Sequence, residues 1–174
     1  MNEANELSHF SAAGRARMVD VSEKSSTLRV AVASGILRLQ PATLERIRSG
    51  RMAKGDVLTV ADVAAVMAAK RTPELIPMCH SLALAGVDVE FSELPEPDEY
   101  GCVGIRVQTS ARCTGQTGVE MEALTAASIA LLTIYDMCKS IDRGMRIESL
   151  QLEEKRGGKS GVWQRNQMTG KHTE

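Results

Sequence analysis

The feature that most constrains this chain is the segment from Thr117 to about Asp142, TGVEMEALTAASIALLTIYDMCKSID. Thr117-Gly118-Val119-Glu120 has capping-box spacing, in which a Thr side chain takes an orphan N–H and a Glu reaches back. Met121, Leu124, Leu131 and Tyr135 follow at helical spacing, so the segment predicts one long helix, apolar on most sides. Its strongly apolar part, Ala123 to Tyr135, contains Thr125, Ser128 and Thr133. It falls short of the roughly 20 residues a membrane span needs, so no membrane is expected as a partner.

Two further helices follow from their ends. Pro41 suits a first helical position, Leu44 and Ile47 share a face, and Gly50 closes that segment. Thr59-Val60-Ala61-Asp62 repeats the capping-box pattern; Val63, Met67 and Lys70 follow at helical spacing, Pro73 ends the run, and VLTV (57–60), after the Lys54-Gly55-Asp56 turn, reads as strand-like. Alternation predicts four strands, at about 28–39, 85–93, 103–112 and 145–153. Pro95 and Pro97, inside an acidic run, mark a solvated loop between the second and third. Leaving out the short first helix, the order is βαββαβ. That order predicts an α+β fold with a ferredoxin-like core, an antiparallel sheet carrying its helices on one face. A length of 174 residues suits a single domain. Its folded core is expected at about 19–161, with loose tails, the second from Val162 onward.

Charge and composition narrow the partners. Lys and Arg number 21 against 22 Asp and Glu, and aromatics are 3%, which argues against a nucleic-acid binder. MNEANELSHFSAAG lacks the basic end and apolar run of a signal peptide, so a cytoplasmic protein is expected. Cys79, Cys102, Cys113 and Cys138 show no paired spacing, so they read as free core residues. A zinc site using Cys79 and His80 lacks ligand-spacing support, and no metal is expected.

Several residues could carry chemistry. On the long helix Glu122, Thr125, Thr133 and Asp136 fall on one stripe with Lys139 nearby. The stripe is either a solvent face or a polar seam lining a pocket. Asp136 and Lys139 are three apart and can touch. Glu122 and Asp136 are about 21 Å apart along a straight helix, too far for one small-molecule site in one subunit. An antiparallel copy of the helix from a symmetric partner would bring them together, which places the expected site at a subunit interface. Glu120 can be explained as a capping residue. His80 follows Pro77-Met78-Cys79, and beside a Cys in an apolar context it suits proton handling or substrate binding, although a lone loop His is more often structural or solvated. Lys54 sits in a Gly-flanked turn, and Lys70-Arg71 ends a helix where cations suit the dipole. Lys155 to Gly161 resembles the end of a phosphate-binding GK[ST] loop, but Glu153 stands where its first Gly belongs. Basic Gly-rich turns still bind anions through backbone N–H groups.

Read together, KGDV (54–57), AAKRT (68–72), LIPMCH (75–80), GVEMEALTAAS (118–128), LTIYDMCK (132–139) and GGKSG (157–161) resemble the cyclic pyranopterin monophosphate synthase family, the C proteins of molybdenum cofactor biosynthesis. The resemblance runs from about Met18 to Gly161. Ser81 stands where the family usually has Pro, and Gln116 where a Lys is common. The resemblance implies conversion of (8S)-3′,8-cyclo-7,8-dihydroguanosine 5′-triphosphate to cyclic pyranopterin monophosphate with release of pyrophosphate. It implies a homohexamer of three dimers, sites at the dimer interface, and no cofactor. It implies that Asp136 is the acid/base with Lys139 and Lys54 at the reacting centre, one Lys having a lowered pKa. Met78, Cys79, His80, Met121 and Glu122 would line the substrate site, and Lys70 first, with Arg71, Lys155 and Lys159 as further candidates, would meet the phosphates. A nucleotide- or pterin-binding protein without turnover is the competing expectation.

Overall fold

The computed structural model describes residues 15–50, 55–159 and 161–165. In chain order the elements are β1 (Thr27–Leu39), α1 (Pro41–Arg48), α2 (Val57–Lys70), the single turn α3 (Thr72–Leu75), β2 (Leu84–Leu94), β3 (Val103–Gly115), α4 (Glu120–Cys138), β4 (Arg146–Arg156) and β5 (Val162–Gln164). The strands form one sheet in the order β2-β3-β1-β4-β5, antiparallel throughout. Strands β1 to β4 with α2 and α4 make the βαββαβ unit, so the expected ferredoxin-like α+β core is present.

The core lies between the sheet and the α2–α4 layer. Odd-numbered residues of β1 (Ala31, Ala33, Leu37, Leu39) and of β3 (Ile105, Val107, Ala111, Cys113) point into it and are buried. This is the period-2 face of each strand. From α4, Ala123, Ala126, Ala130, Leu131 and Ile134 fill the facing layer. Gly35 sets the closeness of approach, because a Cβ there would lie 2.6 Å from Leu131 Cδ1. The buried Thr109 hydroxyl donates to the Ala123 carbonyl at 2.8 Å, tying β3 to the first turn of α4. By length and composition α4 would suit a bilayer, but this apolarity is spent on the core, where over half of it is buried.

Both expected capping boxes are replaced. Helix α2 starts at Val57, so VLTV is helical rather than strand-like. Its cap is Asp56, whose Oδ1 accepts from the N–H groups of Leu58 and Thr59 at 3.1 Å each. Asp56 sits three residues before Thr59, and an Asp at that position satisfies the same orphan donors. Helix α4 starts at Glu120, with Val119 at its N-cap and no side-chain cap, so Thr117 and Gly118 are left in the preceding loop. The helix stops at Cys138 and Asp142 turns back into the body. There Asp142 Oδ2 accepts from Gln40 N at 2.8 Å and Thr43 Oγ1 at 3.1 Å, holding the start of α1. Pro41 and Gly50 bracket α1 as expected, and Pro73 lies in the first turn of α3.

Val162–Gln164, expected in the tail, pairs with β4 as an edge strand. Three residues are too few to show a period.

Candidate active site

The loop after α3 and the first turn of α4 face each other across a cavity of about 340 Å³. Met78, Cys79 and His80 line one side, and Glu120, Met121 and Glu122 the other. Val19, Val21 and Lys24, from the strap that leads into β1, form a third wall. Five of the nine expected site residues therefore meet in one place: Met78, Cys79, His80, Met121 and Glu122.

His80 is oriented by the strap. Its Nε2 lies 2.9 Å from the Val19 carbonyl oxygen. A carbonyl only accepts, so Nε2–H donates, and the neutral ring carries its lone pair on Nδ1. Asp20 closes a small turn in the strap, accepting from Ser22 N at 2.9 Å and Ser22 Oγ at 2.6 Å. These bonds hold its carboxyl below the usual range, with a smaller contribution from His80.

Glu122 is 3% exposed. Burial pushes its carboxyl upward, and nearby Glu120 adds to the shift. A carboxyl in that state can hold and give a proton. Burial, and then Glu122, also raise the Cys79 thiol, which favours the neutral form and disfavours a nucleophilic thiolate.

A second, larger cleft of about 1100 Å³ shares Lys24, Thr117, Gly118 and Glu120 with the first. It is lined by Arg29 from β1 and by Lys155, Arg156 and Lys159 from the end of β4 and the turn after it. Arg29 donates from Nε to Gly115 O and from Nη2 to Gln116 O, both at 3.3 Å. Lys155 Nζ lies 3.2 Å from Glu120 Oε1. The Gly157–Gly161 turn is a hairpin connection, in which Gly161 N donates to Gly158 O at 3.2 Å. At Gly158, φ is +70°, and a Cβ would run into the Arg29 guanidinium. The glycine therefore lets the turn close on that cation. An open, ring-sized cavity thus adjoins a basic cleft, a shape suited to a base carrying a polyphosphate.

The polar stripe of α4 does not line one pocket. Glu122 and Thr125 are buried, whereas Asp136 and Lys139 stand exposed at the far end of the same continuous helix. Asp136 Oδ1 and Lys139 Nζ are 2.6 Å apart. That pairing raises the Lys139 pKa, so within one chain Lys139 is a firm cation and not the expected lysine of lowered pKa. Lys70 is exposed at the end of α2 and lines neither cavity. Lys54 and Ser160 lie outside the described residues.

Sequence reasoning passed over Lys24 and Arg29 and explained Glu120 as a cap. Arg29 left a signal: it is the charged residue on the β1 face whose later members are Ala31, Ala33, Leu37 and Leu39. Glu120 is not the third helical residue but the first, free to turn toward Lys155. Among the described residues no group of three or more His, Cys, Asp or Glu is placed to hold a metal ion, and all four cysteines are free.

The chain is similar to known proteins over most of its length. The sequence profile of the MoaC family matches residues 18–158. A cyclic pyranopterin monophosphate synthase of Chloroflexus aggregans is 58% identical over 163 residues, covering 94% of this chain and 96% of that protein. The protein of that name from Desulfitobacterium hafniense is 57% identical, covering 90% of this chain and 92% of its own length. The one from Novosphingobium aromaticivorans is 55% identical, covering 91% and 97%.

Proposed function

The chain belongs to the MoaC family, and from that premise we propose that it performs the reaction its relatives' name denotes, as a lyase of molybdenum cofactor biosynthesis. It converts (8S)-3′,8-cyclo-7,8-dihydroguanosine 5′-triphosphate to cyclic pyranopterin monophosphate and releases pyrophosphate. The observation that carries this reading is the junction of the two cavities at Lys24, Thr117, Gly118 and Glu120. The base-derived ring occupies the smaller one, among Met78, Cys79, His80, Met121 and Glu122. The triphosphate extends into the larger one, toward Arg29, Lys155 and Lys159.

The chemistry suits these groups. Opening and rebuilding a purine-derived ring moves protons, and His80 Nδ1, the Glu122 carboxyl and Asp136 are the groups that exchange them. The cyclic phosphate forms when a hydroxyl of the sugar-derived part attacks the α-phosphorus. The bond from that phosphorus to the bridging oxygen breaks, pyrophosphate leaves with the electron pair, and the hydroxyl proton passes to a base. Cations around the tail neutralise the charge that builds on the leaving group.

Asp136, Lys139, Lys54 and Lys70 complete this site from a second copy of the chain. The support is the length of α4: Glu122 and Asp136 are about 21 Å apart along it, and an antiparallel partner helix closes that gap. The assembly is a homohexamer of three dimers working in the cytoplasm, without a resident metal or organic cofactor.

The test is pyrophosphate release from enzymatically prepared cyclised substrate, with GTP as control. Release from the cyclised compound alone, with cyclic pyranopterin monophosphate appearing in step, is the expected result. A folded protein that binds the compound and releases nothing overturns the reading in favour of a binding protein.

A further inference from the structure

The hydroxyl oxygen of Thr27 is buried and has no hydrogen-bond partner among the described residues. No other buried side-chain nitrogen or oxygen among them shares that condition. Buried polar groups are nearly always paired, because an unpaired one has lost water and gained nothing.

The position of Thr27 indicates what the hydroxyl serves. It is the first residue of β1 and sits opposite Gly115 of β3. Strand alternation puts it on the same face as Arg29, the face that turns toward α4 and the site. Thr27 lines the large cleft together with Lys24, Arg29, Lys155 and Lys159. Shape alone does not account for a Thr here. Val has the same branching and nearly the same volume, and would leave no unpaired oxygen.

Resting on the substrate reading above, we propose that Thr27 Oγ1–H is a donor to a phosphate oxygen of the substrate's polyphosphate tail. The cations of the cleft attract any anion, whereas a hydroxyl bond is directional. Thr27 thereby sets where along the cleft the tail comes to rest. Its unpaired state without ligand is a stability cost that a bound phosphate oxygen removes. Lys24 and Lys159, exposed long side chains lining the same cleft, swing onto the phosphates and open the hydroxyl to the tail.

The experiment compares the full-length protein with its Thr27→Val and Thr27→Ser variants. Three quantities are read: KM and kcat for pyrophosphate release from the cyclised substrate, inhibition by inorganic pyrophosphate, and the melting temperature without ligand. Thr27→Val is expected to melt at or above the wild-type temperature, because the unpaired oxygen is gone. Its KM is expected to rise about ten-fold or more, as befits a lost hydrogen bond to a charged group, and pyrophosphate is expected to inhibit it correspondingly less. Thr27→Ser, which keeps the hydroxyl, restores both. Unchanged KM and unchanged inhibition in Thr27→Val overturn the inference. So does a Thr27→Val protein that melts well below wild type, since the hydroxyl would then serve the fold. If the wild type turns over while Thr27→Val is indistinguishable from it, the inference fails and the functional reading stands. If the wild type releases nothing yet pyrophosphate binds in a Thr27-dependent way, the reverse holds.

Discussion

The Asp136 carboxylate and the Lys139 ammonium, one turn apart at the exposed end of α4, meet at 2.6 Å, while Glu122 on the same helix is buried in the site cavity. The helix runs unbroken between them, so no bending of one chain brings the pair to Glu122. A polar pair at full exposure contributes little to stability. What it offers is a fixed cation and a fixed carboxylate on a rigid element, ready to be received by another surface.

Asp136→Asn keeps the shape and removes the charge. Pyrophosphate release from the cyclised substrate is expected to fall by about 10²–10⁴, the usual contribution of a general acid or base. The melting temperature is expected to stay at the wild-type value, because the pair is solvated. Near wild-type turnover in this variant would remove Asp136 from the chemistry.

Glu122→Gln tests the buried carboxyl through pH. Burial raises the folded pKa of Glu122 above its unfolded value of about 4.3. Below that value both states are protonated and the group is neutral in its effect. As pH rises from there to the folded pKa, the unfolded chain loses its proton first and the folded state loses stability. Gln removes this loss, so the melting temperature of the variant relative to wild type is expected to climb from pH 4 to pH 7. Activity is expected to drop about a hundred-fold or more. A melting difference that is flat across this range would contradict the assignment.

Asp142→Ala removes the acceptor for Gln40 N, Thr43 Oγ1 and, at 3.2 Å, Gly144 N. Asp142 and Thr43 are buried. Leaving such donors unpaired costs about 1–3 kcal/mol each at most, so a clear fall in melting temperature is expected by calorimetry. None of these residues lines either site cavity, so KM should hold.

Gly158→Ala and Gly161→Ala separate strain from displacement. Both glycines have positive φ, +70° and +64°, and Ala costs about 1–2 kcal/mol in such a conformation. Only at 158 does the new Cβ meet the Arg29 guanidinium; at 161 it meets nothing within 4 Å. Gly158→Ala is expected to raise KM several-fold and weaken pyrophosphate inhibition. Gly161→Ala should lose similar stability with KM near wild type. Equal KM in the two variants would show that the position of Arg29 against the turn is irrelevant to binding.

Much of this was legible in the sequence. The four long strands were legible as strand-like runs, and in β1 and β3 alternate residues are buried, though in the irregularly paired β4 Ile147 and Leu150 are exposed; the βαββαβ order led to the sheet topology. His80 and Glu122 stood out from their residue types and surroundings, Met78, Cys79 and Met121 through the family resemblance, and all five line one cavity. Helix starts were less legible. Asp56, which accepts from the Leu58 and Thr59 N–H groups, caps α2 in place of Thr59, and Val119 takes the N-cap of α4 with no side-chain bond although Thr117 matched the pattern. β5 was invisible because its partner, β4, defines it. Lys24 and Arg29 looked like ordinary surface charges because a cleft exists only once β1, the β4–β5 turn and the start of α4 are assembled.

The sequence by itself determined the βαββαβ order of the core, the inward faces of β1 and β3, and the family, since periodicity and long contiguous motifs are local properties of the chain. Only the tertiary structure decided that Glu122 is buried while Asp136 is exposed, that Glu120 faces Lys155, and that the Thr27 hydroxyl is left unpaired. Burial, pKa and hydrogen-bond partnership depend on what packs against a residue from elsewhere in the chain, and residues as far apart as Thr27, Gly115 and Lys155 become neighbours only through strand pairing.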